Sequence, residues 1–295
     1  MKKLEIKPKY KKILIISISI LLMVLCSVFI YKDLNKKEII TYHVGILETD
    51  TDEKLVLVND FERYLDSDTI LFEYSYYPSI FRLVEAIHLG IVDITFMDAY
   101  SLSKNELPMT LSIIASKNIA LESEKPQNYY RSILLMKEDL NEDELVKRNV
   151  KYEDLTYCVM NPTSIAGYIG VMPFFEENGI NYLDVRSIKV NDFEDSLINL
   201  ASSTCDVGVG YTNIREEYDD MWEFYNGSLA SIYDELSIIY VSDKLYDDAV
   251  IVSDKVDIKL RKQLLEFLYN NGYSESNNED YEYLRNIINK YLGGY

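Results

Sequence analysis

Between Thr156 and Phe175 the chain reads TYCVMNPTSIAGYIGVMPFF, a stretch whose residue types can hold a small polar group. A short apolar run from Tyr157 to Met160 ends in Asn-Pro-Thr-Ser, and a Gly-containing helical pattern follows at once. Asn161 or Ser164 can cap the expected helix, and small residues let the backbone come close to a bound group. The first N–H groups of such a helix are unpaired and carry the positive end of its dipole. That is the chemistry of a site for an anionic or strongly polar ligand. Many strand–loop–helix units share the pattern and bind nothing, so its weight comes from the elements around it.

Those elements alternate. Thr41 to Leu47 reads as a strand, Lys54 to Leu65 as a helix with Leu55, Val58, Phe61 and Leu65 on one face, and Ile70 to Tyr76 as a second strand. Pro78 to Leu89 reads as a helix stopped by Gly90, and Val92 to Met97 (VDITFM) as a buried strand. This is the rhythm of a parallel α/β sheet. Tyr129 to Met136 reads as a further strand, after which the rhythm restarts. Strand Leu155 to Met160, a helix from near Ser164, strand Ser187 to Val190, helix Asp192 to Ser202 and strand Asp206 to Tyr211 follow in turn. Ser237 to Val241 and Ala249 to Val252 are expected as strands, and Ile258 to Tyr291 as helical. Two α/β lobes of similar build are implied, with a ligand crevice at the carboxyl ends of their strands.

The first 40 residues are unlike the rest. Met1 to Lys12 is basic, and Ile13 to Tyr31 is apolar apart from three serines and Cys26. About 20 apolar residues cross a bilayer. An uncleaved transmembrane or signal-anchor helix over 13–31 is therefore expected, with a linker over 32–41 and the remainder outside the cytoplasmic membrane. Two alternatives stay open. Cys26 can be the acylated residue of a lipoprotein signal, although Leu25 before it is not small; cleavage is the other, although no A-x-A-like site follows.

The chain has 295 residues, 48% of them hydrophobic and 27% charged, and a formal net charge of −19. The composition is globular, and the charge argues against nucleic acid, whose phosphates need a basic face. Cys158 and Cys205 lie in apolar strand-like runs and are expected as buried free thiols, with a pairing between them the alternative outside the cell. No metal set is legible, since His43 and His88 are far apart and no Cys or His has ligand spacing. No cofactor motif is present.

The order of motifs resembles the phosphate/phosphonate-type extracytoplasmic solute-binding proteins of ABC importers. The pieces that carry it are VGILETDTDEKL, LVEAIHLGIVDITFMDAYSL, YRSILLMKEDL, CVMNPTSIAGYIGVMPFFEENGI, ASSTCDVGVGYTN, SIIYVSDKLYDDAVIVSDKVD and RKQLLEFL, from Val44 to Leu268. The resemblance implies an α/β, two-lobed type II periplasmic-binding-protein fold. Two hinge crossings, Tyr129 to Met136 and Ser237 to Val241, join lobe one (42–128 with 245–295) to lobe two (129–244).

The resemblance also implies a site. The family's hydroxyl-rich loop before a Gly corresponds to Thr163-Ser164-Ile165-Ala166-Gly167, where Ile165 and Ala166 replace two donors. Each lost hydrogen bond to an anion is worth about 1.5–3 kcal/mol. Asp98 stands where the family commonly has Gly; it either caps the next helix or faces the cleft, where it would repel phosphate and attract an amine. Glu194 falls where family members place an acid toward a ligand amine, or else serves its own helix N-terminus. Tyr76, Tyr77 and Tyr100 flank the lobe-one crevice ends, and Tyr211 ends the VGVGY strand toward the cleft. Trp222 is read as packing.

The expected function is a membrane-tethered binding protein that closes over a small polar solute, phosphonate-like or zwitterionic, for an ABC permease. The alternative is a tethered sensor or accessory module with a degenerate pocket. An enzyme is not expected, because no nucleophile–base pair, phosphate loop or metal set is visible.

Overall fold

The computed structural model describes residues 21–27, 39–65, 67–119, 127–140, 142–227 and 229–293. The chain divides into two units, Met1–Thr41 with Ser67–Leu71, and Tyr42–Asp66 with Phe72–Tyr295. In the first, the Ile40 N–H donates to the Thr69 carbonyl at 2.8 Å. The expected anchor, 13–31, lies outside the described residues apart from 21–27, which are helical and exposed; Cys26 is a free thiol there. Among the described residues no helix is long and apolar enough to cross a membrane.

The second unit carries both main sheets apart from the first two residues of two strands. Its first half runs β1 (Ile40–Leu47), α1 (Thr51–Leu65), β2 (Ile70–Tyr77), α2 (Ile80–His88), β3 (Ile94–Met97), α3 (Ala99–Lys104) and β4 (Leu111–Lys117). Next come β5 (Tyr129–Tyr130), β6 (Ser132–Lys137), α4 (Glu142–Arg148), β7 (Thr156–Val159), α5 (Met172–Glu177) and β8 (Arg186–Lys189). After them follow α6 (Phe193–Ala201), β9 (Val207–Tyr211), α7 (Ile214–Glu217), α8 (Asp219–Asn226), α9 (Ile232–Glu235) and β10 (Leu236–Val241). The chain closes with β11 (Leu245–Tyr246), β12 (Ala249–Ser253), α10 (Ile258–Tyr269), β13 (Tyr273–Glu275) and α11 (Glu282–Tyr291). One sheet has the order β13-β4-β12-β3-β1-β2, the other β10-β6-β9-β7-β8, and β5 pairs with β11 in a short ribbon.

The helices follow their patterns. Ser79 caps α2 by accepting the Arg82 N–H, and Leu83, Ala86 and Ile87 form its buried face. Gly90, at φ +66°, takes the left-handed turn that ends the helix, as expected. From α1, Phe61 meets Phe72 and Phe267 with ring centroids 5.8 and 5.3 Å apart. The second sheet's core gathers Leu134, Met136, Tyr157, Phe175, Leu197, Val207 and Trp222.

The V-D and C-D dipeptides before β3 and β9 have a shared structural cause. Asp93 accepts the His43 N–H through Oδ2 at 3.0 Å, while its own N–H donates to the His43 carbonyl at 2.8 Å. Asp206 repeats this with Thr156, accepting at 2.8 Å and donating at 2.7 Å. Each aspartate thus clips the start of one parallel strand to its neighbour, and the two sheets use the same device. Replacing Asp93 with Ala is expected to lower unfolding free energy by about 1.5–3 kcal/mol, because a backbone donor loses a charged acceptor. Urea denaturation checks this, and an unchanged midpoint would refute it.

Three expectations need correction. The helix expected from Ser164 does not begin there: the chain makes successive turns, a short 3-10 segment at Ile169–Val171, and then α5. Gly167 and Gly170 disfavour regular helix, and Pro173 is tolerated only in a first turn, so the helix starts beside it. The helical stretch expected over 258–291 is broken by β13, with Gly272 turning the chain at φ +83°. Between β10 and β12 the chain passes through the ribbon: Ser242 exchanges backbone and hydroxyl bonds with Ser132, and Leu245 and Tyr246 pair with Tyr130 and Tyr129. Finally, Cys158 and Cys205 are not free thiols but form a disulfide. The β7–β9 pairing brings them within reach, with Cα atoms 5.7 Å apart.

Candidate ligand cleft

β3 runs parallel to β1, and β7 runs parallel to both β8 and β9. The carboxyl ends of such strands are where open α/β sheets bind ligands. A cleft of about 370 Å³ lies there. Asp98, Ala99 and Tyr100 enter it just past β3, Thr163 to Ala166 follow β7, Phe193 opens the helix after β8, and Tyr211 ends β9. The ribbon region supplies Tyr130, Asp247 and Asp248.

Asp98 caps α3, its Oδ1 accepting the Ser101 N–H at 2.8 Å, and lines the cleft as well. Both readings of this residue therefore describe the same side chain. Thr163 and Ser164 also reach the cleft, but their loop spends its hydrogen bonds on itself. Asn161 Oδ1 accepts the Thr163 N–H at 3.1 Å and its hydroxyl at 3.2 Å, while Ser164 Oγ accepts the Gly167 N–H at 3.1 Å. The N–H groups of Tyr168, Ile169 and Gly170 bond to the Ser164 and Ile165 carbonyls. The segment is thus a hydrogen-bonded turn and not the first turn of a helix.

The other candidates lie elsewhere. Gly167 is not in the lining; a Cβ there would collide with the Met160 side chain, so its smallness serves packing. Glu194 accepts a hydrogen bond from the Tyr225 hydroxyl at 2.6 Å, and the residue before it enters the cleft instead. Neighbouring helical residues point about 100° apart, so one register position decides which side chain faces the ligand. Tyr76 is exposed and Tyr77 packs beside the first core, neither of them in the lining. Sequence reading missed Tyr130, Phe193, Asp247 and Asp248. Only the last two carried a signal, a D-D pair between two expected strands.

The rings and acids of the cleft are coupled. Phe193 meets Tyr211 edge-on with centroids 5.0 Å apart, and the Tyr211 hydroxyl donates to the Glu217 carboxylate. Burial raises the Tyr211 pKa, and its bond to Glu217 adds to the rise. Burial and the adjacent Asp247 push Asp248 up to about 6, against the partial relief of Lys54. Lys54 is almost wholly buried, with Nζ 3.8 Å from Asp248 Oδ2 and 3.7 Å from Glu53 Oε1.

Residues 45–289 match the family model described as the periplasmic substrate-binding protein of phosphonate ABC transporters. The chain belongs to this family. Its members are extracytoplasmic substrate-binding proteins that work with an ABC permease, and they are not enzymes. Among solved structures, XAC2383 from Xanthomonas citri with bound chloride is 11% identical, with 86% of this chain and 99% of that one covered and a TM-score of 0.52. That likeness shows the fold. A binding protein of an ABC phosphonate transporter from Pseudomonas aeruginosa is 15% identical, covering 84% and 85%, with a TM-score of 0.42. PhnD1 from Prochlorococcus marinus, in complex with methylphosphonate, is 14% identical, covering 86% and 99%, with a TM-score of 0.46. No curated protein sequence matches the chain. The binding protein's disulfide suits its family's oxidising compartment.

Proposed function

We propose that this chain is a membrane-tethered extracytoplasmic binding protein that captures a small polar solute, phosphonate-like or zwitterionic, and presents it to an ABC permease. The observation that supports it best is the cleft, lined from the strand ends of both sheets and from the ribbon that joins them. Contacts from both sides favour a closed state, and a permease that recognises that state reads out occupancy. Asp98, Tyr100, Tyr130, Thr163, Ser164, Phe193 and Tyr211 are the contacts proposed, in lobes bounded near 128 and 245. The basic Met1–Lys12 segment and the apolar run after it support tethering.

A thermal-shift panel on the full chain in detergent tests the reading, using methylphosphonate, phosphate, amino acids, thiamine precursors and polyamines. A true ligand at a hundredfold excess over Kd adds about 2.7 kcal/mol of stability. At least one class is expected to raise Tm, and the Tyr130→Ala, Tyr211→Ala double variant to lose that rise. No shift with any class would overturn the proposal.

A further inference from the structure

We infer that the cleft selects a solute carrying an ammonium or quaternary-ammonium group and disfavours a doubly charged phosphonate. This rests on the binding-protein reading and names the ligand class of the same cleft. Asp98, Asp247 and Asp248 line it, and no lysine or arginine does so among the described residues. The depression beside it shares Asp98 and Asp248 and adds Glu48, Asp50, Asp52 and Glu53. Lys54, the cation of that depression, is already held among Glu53, Asp248 and the Phe96 ring, whose centroid is 5.5 Å from Nζ. An incoming dianion would therefore meet three carboxylates with no free countercharge. The turn beside it spends the Thr163 and Ser164 hydroxyls on Asn161 and Met160 and presents the carbon side chains of Ile165 and Ala166.

What the cleft offers instead suits a cation. Tyr130, Phe193 and Tyr211 line it together with Tyr100, whose ring centroid is 5.7 Å from Lys104 Nζ, and an organic cation gains from ring quadrupoles as well as from carboxylates. The volume, about 370 Å³, suits a small organic solute. No group of three or more His, Cys, Asp or Glu among the described residues is placed to hold a metal ion. Asp248 is faced by Lys54 from α1, Asp98 beyond β3, Lys117 from β4 and Asp247 beside it. Burial and then Asp247 raise its pKa, which the lysines only partly offset, and a cation bound beside it would favour the ionised carboxylate. Binding should therefore expel a proton near pH 6 and weaken as Asp248 protonates below that pH.

Calorimetry on the full chain at pH 7.5 and 5.0, with choline, putrescine, methylphosphonate and calcium chloride as probes, decides the matter. Choline or putrescine is expected to bind more tightly than methylphosphonate and to weaken at the lower pH. Asp98→Asn and Asp248→Asn should each weaken the cation by about tenfold or more. Native Trp222 fluorescence reports that each variant is folded, and the pH comparison on the unaltered chain stands if either is not. Silence from choline and putrescine overturns the inference. If methylphosphonate binds in that case, the binding-protein reading survives; if it too is silent, that reading falls with the thermal-shift panel. Calcium binding that excludes choline and is lost in Asp98→Asn also overturns it, in favour of a metal.

Discussion

Replacing Cys158 and Cys205 with alanine lowers the unfolding free energy by about 4 kcal/mol, a loss set by the loop the bond closes in the unfolded chain. The two cysteines are 47 residues apart, so the unfolded state regains considerable freedom once they are cut. The consequence reaches the cleft. Cys158 sits on β7, which runs into the Asn161–Gly167 turn, and Cys205 precedes β9, which ends at Tyr211. Both the turn and Tyr211 line the cleft, so weaker binding of any ligand held there is expected to accompany the stability loss. Urea denaturation of the oxidised and double-alanine proteins measures the first effect, and titration of any ligand found above measures the second. Coincident denaturation curves would show that the bond is dispensable.

Trp222→Ala is expected to cost about 3–5 kcal/mol, the range for deleting a large buried aromatic. Trp222 is fully buried in the second core, and its indole N–H donates to Glu235 at 2.7 Å. Truncation therefore removes packing and takes a donor from Glu235, which keeps Asn226. Trp222→Phe preserves most of the volume and should cost clearly less. Because Trp222 is the chain's only tryptophan, the alanine variant is followed by circular dichroism rather than by fluorescence. Equal losses for the two variants would assign the effect to the hydrogen bond and not to the cavity.

Much of the architecture was legible because it depends on local pattern. VDITFM and VGVGY are short apolar runs with no helical period, and they fold as β3 and β9. Gly90 ended its helix for the reason its position suggested, since only glycine takes that φ without strain. Asp98, Tyr100 and Tyr211 could be placed near a cleft because each stands at the carboxyl end of an expected strand. The turn at Ser164 was misread because its helical pattern is real but interrupted. Two glycines and a proline in the same few residues cost more than the pattern returns.

By itself, then, the sequence determined the alternating elements of a mixed α/β fold, because hydrophobic period and turn chemistry are local properties. Tertiary structure alone decided which side chains share the cleft and what charge it presents. Asp247 and Asp248 lie far along the chain from Asp98, and only the return of the chain through β11 into β12 brings all three together. Phe193 rather than Glu194 faces the cleft because helix register, not composition, orients them. The disulfide has the same origin, since β7 and β9 become neighbours only through sheet order. Contacts between distant residues depend on strand order and register, and neither is encoded in any short stretch of the chain.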